Sequence, residues 1–180
     1  MNIQILATIL TGLVTITSLI ISNYFMRRKE DRTKRLQIRI EYASKQIEEF
    51  YGPLYSLIQQ MKNYKSVRQS IIMPQDIPPD EVNKIKIFFR EEYQMPLNNE
   101  IRDLIKNKFH LIEGKELPSS FWTFLQYSTQ QSAQVRLWKE LQMETHHIQG
   151  TPWPNEFEED VKKTVTELIN RYDSLLKELE

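Results

Sequence analysis

The first 26 residues contain no Asp, Glu, Lys or Arg, and residues 3–26 read IQILATILTGLVTITSLIISNYFM. A helix needs about 20 mostly apolar residues to cross a hydrocarbon core of about 30 Å, and this stretch has that length. Tyr24 and Phe25 lie where interfacial aromatic residues are enriched. A cleaved signal peptide fits less well, because the basic residues follow the apolar run instead of preceding it. The sequence therefore predicts a single transmembrane anchor over residues 1–26.

A basic segment follows the apolar run directly. Residues 27–35 contain two acidic residues and six basic ones, which are Arg27, Arg28, Lys29, Arg32, Lys34 and Arg35. Lys and Arg that flank a transmembrane helix stay on the cytoplasmic side. We therefore expect an inner (plasma) membrane protein with its N-terminus outside and residues 36–180 in the cytoplasm. The cluster is also expected to contact membrane lipid at the membrane surface, although fixing the topology is its simpler role.

Small and hydroxylated residues mark one face of the predicted anchor. They are Thr8, Thr11, Gly12, Thr15, Ser18 and Ser22. Such a stripe lets two helices approach closely and hydrogen-bond across their contact. A period of about 3.5 residues favours a left-handed crossing. The stripe predicts association of the anchors, the alternative being that these residues are merely tolerated in lipid.

Beyond residue 35 the apolar residues recur at helical spacing. The first run predicts a helix to about residue 70. Gly52 and Pro53 interrupt this run, but the apolar stripe keeps its phase, which favours a helix kink over a stop. Further helices are predicted over residues 79–93 and 99–113, separated by Met95-Pro96. Two more are predicted to start near Ser119 and at Asn155.

No segment shows the sustained alternation of a β-strand. We therefore expect an all-α chain, in which a single N-terminal transmembrane helix and a basic juxtamembrane segment (27–35) precede a cytoplasmic antiparallel helical bundle (36–180). The first soluble helix either continues from the anchor as a stiff stalk or hinges within the charged segment.

Composition excludes several classes of function. Of the 24 basic and 24 acidic residues, 18 and 22 lie beyond residue 35, and a slightly acidic domain is a poor nucleic-acid binder. The absence of cysteine excludes disulfides, thiol nucleophiles and Cys-based metal sites. The four glycines are isolated, so no phosphate-binding loop is formed. We predict no catalytic residues, no cofactor and no nucleic-acid partner.

The histidines and one tryptophan are the remaining candidates for chemistry. His146 and His147, near Glu144, are a weak metal site, because adjacent side chains on a helix point about 100° apart; we predict no bound metal. His110 is expected to be a packing residue. Trp153 lies between two prolines and is expected to fill a gap between helices rather than to stand exposed.

Several short strings occur together in the soluble part: EFYGPLY at residues 49–55, PLNNEI at 96–101, KFHLI at 108–112 and WKE at 138–140. In this combination the chain resembles a group of uncharacterised bacterial single-pass, membrane-anchored helical proteins. The resemblance covers most of residues 36–180 and implies a bacterial inner-membrane setting. That group has no established activity, so the resemblance assigns no functional residue.

Three functions are compatible with these features. The leading hypothesis is a non-enzymatic, membrane-tethered interaction or scaffold module that forms a homo-oligomer or binds a protein partner. A second is a ligand-gated membrane effector of a bacterial defence system, with an unknown small-molecule ligand. A third is an enzyme that uses carboxylates such as Glu91, Glu92 or Asp103, although no paired arrangement of acidic residues is evident.

Overall fold

The structure is a computed structural model that describes residues 3–70, 77–114, 116–141 and 152–179; for residues 3–11, 14 and 15 it describes the backbone alone. No strand occurs within these ranges, and the all-α prediction is confirmed. The helices are α1 (Ile3–Gln46), α2 (Gly52–Ser70), α3 (Pro79–Phe89), α4 (Met95–Asn107), α5 (Ser119–Leu141) and α6 (Asn155–Leu179).

Helix α1 is 44 residues long and has no break in the basic segment 27–35. Within the described ranges, no helix combines the length with the apolar character that crossing a membrane requires. From Leu13 to Met26 the described large apolar side chains are between 52% and 62% exposed. The side chains of Thr8, Thr11 and Thr15 lie outside the described residues.

Two compact units make up the chain. The first comprises residues 1–42 and 172–180, and the second comprises residues 43–171. In the first unit, Leu36 and Leu175 are buried. The second unit contains the hydrophobic core, which is formed by α2, α4, α5 and α6 together with the connection between α4 and α5.

Neighbouring helices of the second unit run in opposite directions, because early residues of one contact late residues of the next. The chain leading into and along α2 contacts the chain around α4 through Glu49–Lys108 and Tyr64–Tyr93. The segment before α4 contacts α5 through Gln94–Tyr127 and Arg90–Gln134. The end of α1 and α2 contact α6 through Gln46–Arg171 and Lys62–Glu158. The predicted helical bundle is therefore present, and its helices alternate in direction along the chain.

Aromatic rings fill the centre of the bundle. Phe157 at the start of α6 is fully buried, with ring centroids 4.9 Å from Phe121 and 4.6 Å from Phe124 on α5. Phe121 in turn stacks on Phe50, with centroids 6.4 Å apart. Rings at these distances and angles attract one another beyond the area that they bury. The first turn of α6 is therefore fixed against α5 by packing.

Two π-helical turns carry the chain past prolines. Residues Ile47–Tyr51 form the first, in which the Gly52 N–H donates to the carbonyl of Ile47, five residues back. Residues Arg90–Gln94 form the second, in which the Met95 N–H donates to the carbonyl of Arg90. The residue before each proline thus closes the wider turn, and the helix continues although proline itself has no N–H to donate. The prediction that Met95-Pro96 ends a helix is wrong for this reason, whereas continuation across Gly52-Pro53 is observed.

The end of α4 also differs from the prediction. The helix ends at Asn107 and is followed by a 3₁₀ turn, Phe109–Leu111, and by extended backbone at Ile112. This change of geometry buries the consecutive residues Leu111 and Ile112 but leaves Phe109 and His110 exposed. The prediction that a helix extends to residue 113 is wrong, and so is the prediction that His110 is a packing residue.

A hydrogen-bond network joins three segments at this end of the bundle. The Arg171 guanidinium donates to both carboxylate oxygens of Glu113, at 2.8 and 2.9 Å, and to Oε1 of Gln46 at 3.0 Å. Gln46 is buried, and its Nε2 donates to the carbonyl of Leu111 at 2.9 Å. Hydrogen bonds from Arg171 hold the pKa of the Glu113 carboxyl below its ordinary value. The network fixes the connection after α4 between the first and last helices of the second unit.

Candidate functional site

A basic groove lies in the first unit. It has a volume of about 750 Å³ and is lined by side chains of α1 and by Glu178 of α6. Five of its lining residues are cationic: Arg28, Lys29, Arg32, Arg35 and Arg39. Two acidic residues, Asp31 and Glu178, leave an excess of positive charge. Phe25 and Leu36 supply its apolar surface.

The groove brings together four of the six basic residues that the sequence singled out. Lys34 lines a separate shallow depression with Met26 and Lys29, and Arg27 lines neither. Arg39 also lines the groove, although it lies four residues beyond the predicted basic segment 27–35. Arg39 follows Arg35 by four positions and Arg32 by seven, so helical periodicity places all three on one face.

The small-residue stripe of α1 is described in part. Gly12 has open space around it, since a Cβ added there meets no atom within 4 Å. Ser18 and Ser22 are exposed. The Thr17 hydroxyl, which is outside the stripe, donates to the carbonyl of Leu13 one turn back. Such a bond satisfies the hydroxyl without a partner from another helix.

A second cavity, of about 260 Å³, lies in the second unit. Its cationic side chains come from two elements: Lys65 and Arg68 from the last turns of α2, and Arg90 from the π turn before α4. Among the residues that the structure describes, no acidic side chain lines it. Within the described part of the chain, none of the three cations forms an ion pair; Glu158, whose charge acts on Lys65, is itself paired with Lys62.

The surroundings of Arg90 and Lys65 disfavour their positive charges. Burial lowers the pKa of Arg90, and the positive charge of Arg68 lowers it further. Burial also lowers the pKa of Lys65. Both shifts mean that burial disfavours the charged form by more than nearby negative charge, such as that of Glu158 on Lys65, favours it. An anion in the cavity reverses that imbalance.

Aromatic and amide groups complete the cavity wall. Trp153 packs edge-on against Tyr127, with centroids 5.5 Å apart, and the Lys65 ammonium lies 4.5 Å from the Trp153 ring centroid. Gln94 Nε2 donates to the Tyr127 hydroxyl at 2.5 Å. Tyr64 and Gln131 also line the space. The prediction that Trp153 packs between helices instead of standing exposed is confirmed, since its ring contacts Phe124 and Tyr127 of α5. The other side of the ring borders the cavity.

Sequence reasoning missed the cavity because its residues come from four separate segments. One signal was present in the chain. The buried stripe Leu54, Ile58 and Met61 continues at the same spacing of three and four residues into Lys65 and Arg68. An apolar helix face that turns basic toward one end indicates a polar interior at that end of a bundle.

The described residues contain no group of three or more His, Asp or Glu side chains that is placed to hold a metal ion. His146, His147 and Glu144, the weak metal candidates, lie outside the described residues. Among the carboxylates considered for catalysis, Glu91 is ion-paired with Lys139 at 2.8 Å, whereas Glu92 and Asp103 are exposed. No family model, curated protein or solved structure matches the chain.

Proposed function

We propose that this chain is a non-enzymatic interaction module, tethered to the bacterial inner membrane by residues 1–26, that self-associates or binds a protein partner there. Residues 36–180 then face the cytoplasm, and the basic groove faces the lipid headgroups. The two parts have separate roles, in which α1 determines location and the bundle presents surfaces for contact.

One observation supports the tether above all others. The described large apolar side chains of α1 before the basic segment are Leu13, Ile16, Leu19, Ile20, Ile21, Tyr24, Phe25 and Met26, and every one is more than half exposed. At 3.6 residues per turn they cover every face of the helix except the one that carries the small-residue stripe. So wide an apolar surface is ordinarily buried in a core or in a membrane. Lipid can cover it on several sides at once, while the stripe faces a second helix.

The basic groove agrees with this placement. Its five cations begin two residues after Met26, the last residue of the apolar run. Basic residues next to a membrane helix are attracted to the anionic cytoplasmic leaflet by about 1 kcal/mol each. Phe25, which lines the same groove and is exposed, provides apolar surface for the region just below the headgroups.

The tether is tested by fractionating cells that express the full chain with a C-terminal tag. The protein is expected in the membrane fraction, resistant to alkaline carbonate and released by detergent. The double variant Ile16→Asp/Ile20→Asp is expected to shift it to the soluble fraction, because a charged residue costs about 2.5–3.5 kcal/mol at the centre of a membrane helix.

The matched control is Ser66→Asp/Val67→Asp, which adds the same two charges at exposed positions of α2 and is expected to leave the protein in the membrane. Protease applied outside intact spheroplasts is expected to spare the C-terminal tag. An intact chain that fractionates as a soluble protein, or a tag that is digested from outside, contradicts the tether.

Association of the anchors is tested by crosslinking in membranes. Dimers or higher species are expected from the wild-type chain, and Thr11→Leu/Thr15→Leu is expected to reduce them, because bulky side chains keep two helices apart. Thr17→Leu is the control, since Thr17 is outside the stripe and bonds within its own helix. Equal crosslinking of the double variant and the control removes the stripe from the mechanism.

A ligand-responsive membrane effector is the second candidate. The cationic cavity between α2, the second π turn and α5 favours it, because an interaction module has no need of three cations gathered on one cavity with no ion-pair partner among the described residues. In that case the bundle detects a small molecule and the clustered anchors transmit the response.

A further inference from the structure

We propose that the 260 Å³ cavity of the second unit is a binding site for a small phosphorylated organic compound, with the phosphate held by Lys65, Arg68 and Arg90. The inference does not depend on the membrane tether, since all of these residues belong to residues 43–171.

Charge is the first argument. Three cations converge on one cavity, and the described part of its wall contains no acidic residue. A phosphate monoester carries about two negative charges at neutral pH and offers three acceptor oxygens. Arg and Lys bind phosphate through charge-assisted hydrogen bonds, which are about twice as strong as neutral ones. A dianion with three acceptors therefore matches the cavity in both charge and number of donors.

The polarity of the inner helix faces is the second argument. At the cavity end of the bundle, α5 buries Gln131, which lines the cavity, and Gln134, which accepts a hydrogen bond from Arg90 at 3.4 Å. Among the described groups, Oε1 of Gln131 has no hydrogen-bond partner. Buried polar groups are ordinarily paired, and apolar residues at the same positions pack without that requirement. A bound polar molecule gives these side chains a function that packing alone does not.

Size and wall chemistry narrow the ligand. The volume is about that of nine water molecules in the liquid and is below the usual range of about 300–1,000 Å³ for drug-sized ligands. Dinucleotides and longer oligonucleotides are too large. Tyr64, Tyr127 and Trp153 provide an apolar wall beside the cations, which suits the sugar or the ring of a compound of nucleoside-monophosphate size.

The test is isothermal titration calorimetry on the purified full chain in detergent micelles. The four probes are adenosine 5′-monophosphate, ribose 5-phosphate, adenosine and inorganic phosphate. Both phosphate esters, or one of them, are expected to bind more tightly than inorganic phosphate, and adenosine is expected not to bind. A ribose 5-phosphate affinity equal to that of the nucleotide identifies a sugar phosphate site, and a stronger nucleotide affinity identifies a site that also contacts the base.

Arg68→Gln is the main variant, because Arg68 is exposed at the helix surface and its loss leaves the core intact. It is expected to weaken binding of the tighter ester about tenfold or more, which corresponds to the loss of one charge-assisted hydrogen bond. Lys84→Gln is the matched control: it removes the same charge from an exposed position of α3 and is expected to bind as the wild type does. Trp153→Phe is expected to abolish the ligand-induced change in tryptophan fluorescence.

Three results overturn the proposal. The first is that none of the phosphate probes binds the wild-type chain at millimolar concentration. The second is that Arg68→Gln binds as tightly as Lys84→Gln. The third is that inorganic phosphate binds as tightly as both esters, which indicates a simple anion site. If the membrane tests fail, the same titrations are carried out in detergent-free buffer, and the same three results overturn the proposal.

Discussion

Replacing Phe157 by alanine is expected to lower the free energy of unfolding by about 3–5 kcal/mol. The side chain is fully buried and stacks on Phe124 while its edge meets Phe121, so truncation removes contacts with two other core rings and leaves a cavity. These rings belong to α5, and Phe157 is their main partner from the first turn of α6. The space cannot easily collapse, because the surrounding helices are fixed by other contacts.

The measurement is thermal unfolding of the full chain, followed by circular dichroism at 222 nm. A loss of this size corresponds to a fall in Tm of about 6–20 °C for a chain of this length. Trp122→Ala is the control. It removes an even larger aromatic side chain from the same region, but Trp122 is 62% exposed and its loss is expected to change stability by less than about 0.5 kcal/mol. Equal Tm values for the two variants contradict the assignment of Phe157 to the core.

Gly52→Ala is expected to destabilise the chain by about 1–3 kcal/mol, although alanine is ordinarily the better helix former by about 1 kcal/mol. A Cβ at position 52 lies 2.6 Å from the carbonyl oxygen of Ile47. That oxygen accepts the hydrogen bond that closes the first π turn, so the backbone cannot move away without breaking the bond. Helix propensity alone predicts a stabilised variant, so a destabilised one supports the presence of the π turn at Ile47–Tyr51.

The same thermal unfolding experiment measures this effect. Ser56→Ala, at an exposed position one turn later on α2, is the control and is expected to leave Tm unchanged or slightly raised. A stabilised Gly52→Ala variant means that residues 47–52 form an ordinary α-helical turn, without the wider π turn.

The periodic parts of the fold were predictable from the sequence. The starts of α5 at Ser119 and of α6 at Asn155 agree with the prediction, because Pro118 and Pro154 precede long amphipathic runs. The all-α class follows from the same periodicity. These features depend on local sequence alone, which is why a single chain reveals them.

The prolines show where local reasoning fails. Pro53 and Pro96 carry the same helix-breaking chemistry, yet the helix continues through both because the preceding residue donates to a carbonyl five positions back. A π turn inserts one extra residue into the helix. At Arg90–Gln94 the inserted turn also places two polar side chains on the cavity. Tertiary packing, which no local pattern contains, decides between a stop and a π turn.

The two candidate sites differ in how far the sequence predicts them. The basic groove was largely predictable, since its cations are close in sequence on one helix. The cavity was not, because Lys65, Arg90, Tyr127 and Trp153 are distant from one another in sequence and each has an ordinary local setting. Only the alternating packing of the helices brings them together.

The bond between Gln46 and Arg171 has a consequence for biosynthesis. The two residues are 125 positions apart, so a ribosome that adds about 5–20 residues per second makes Arg171 roughly 6–25 s after Gln46. Throughout most of that interval the nascent chain lacks Phe157, and the rings of Phe121 and Phe124 have no cover from α6 once they are synthesised. Slow translation of the codons for α6 is expected to prolong this exposure.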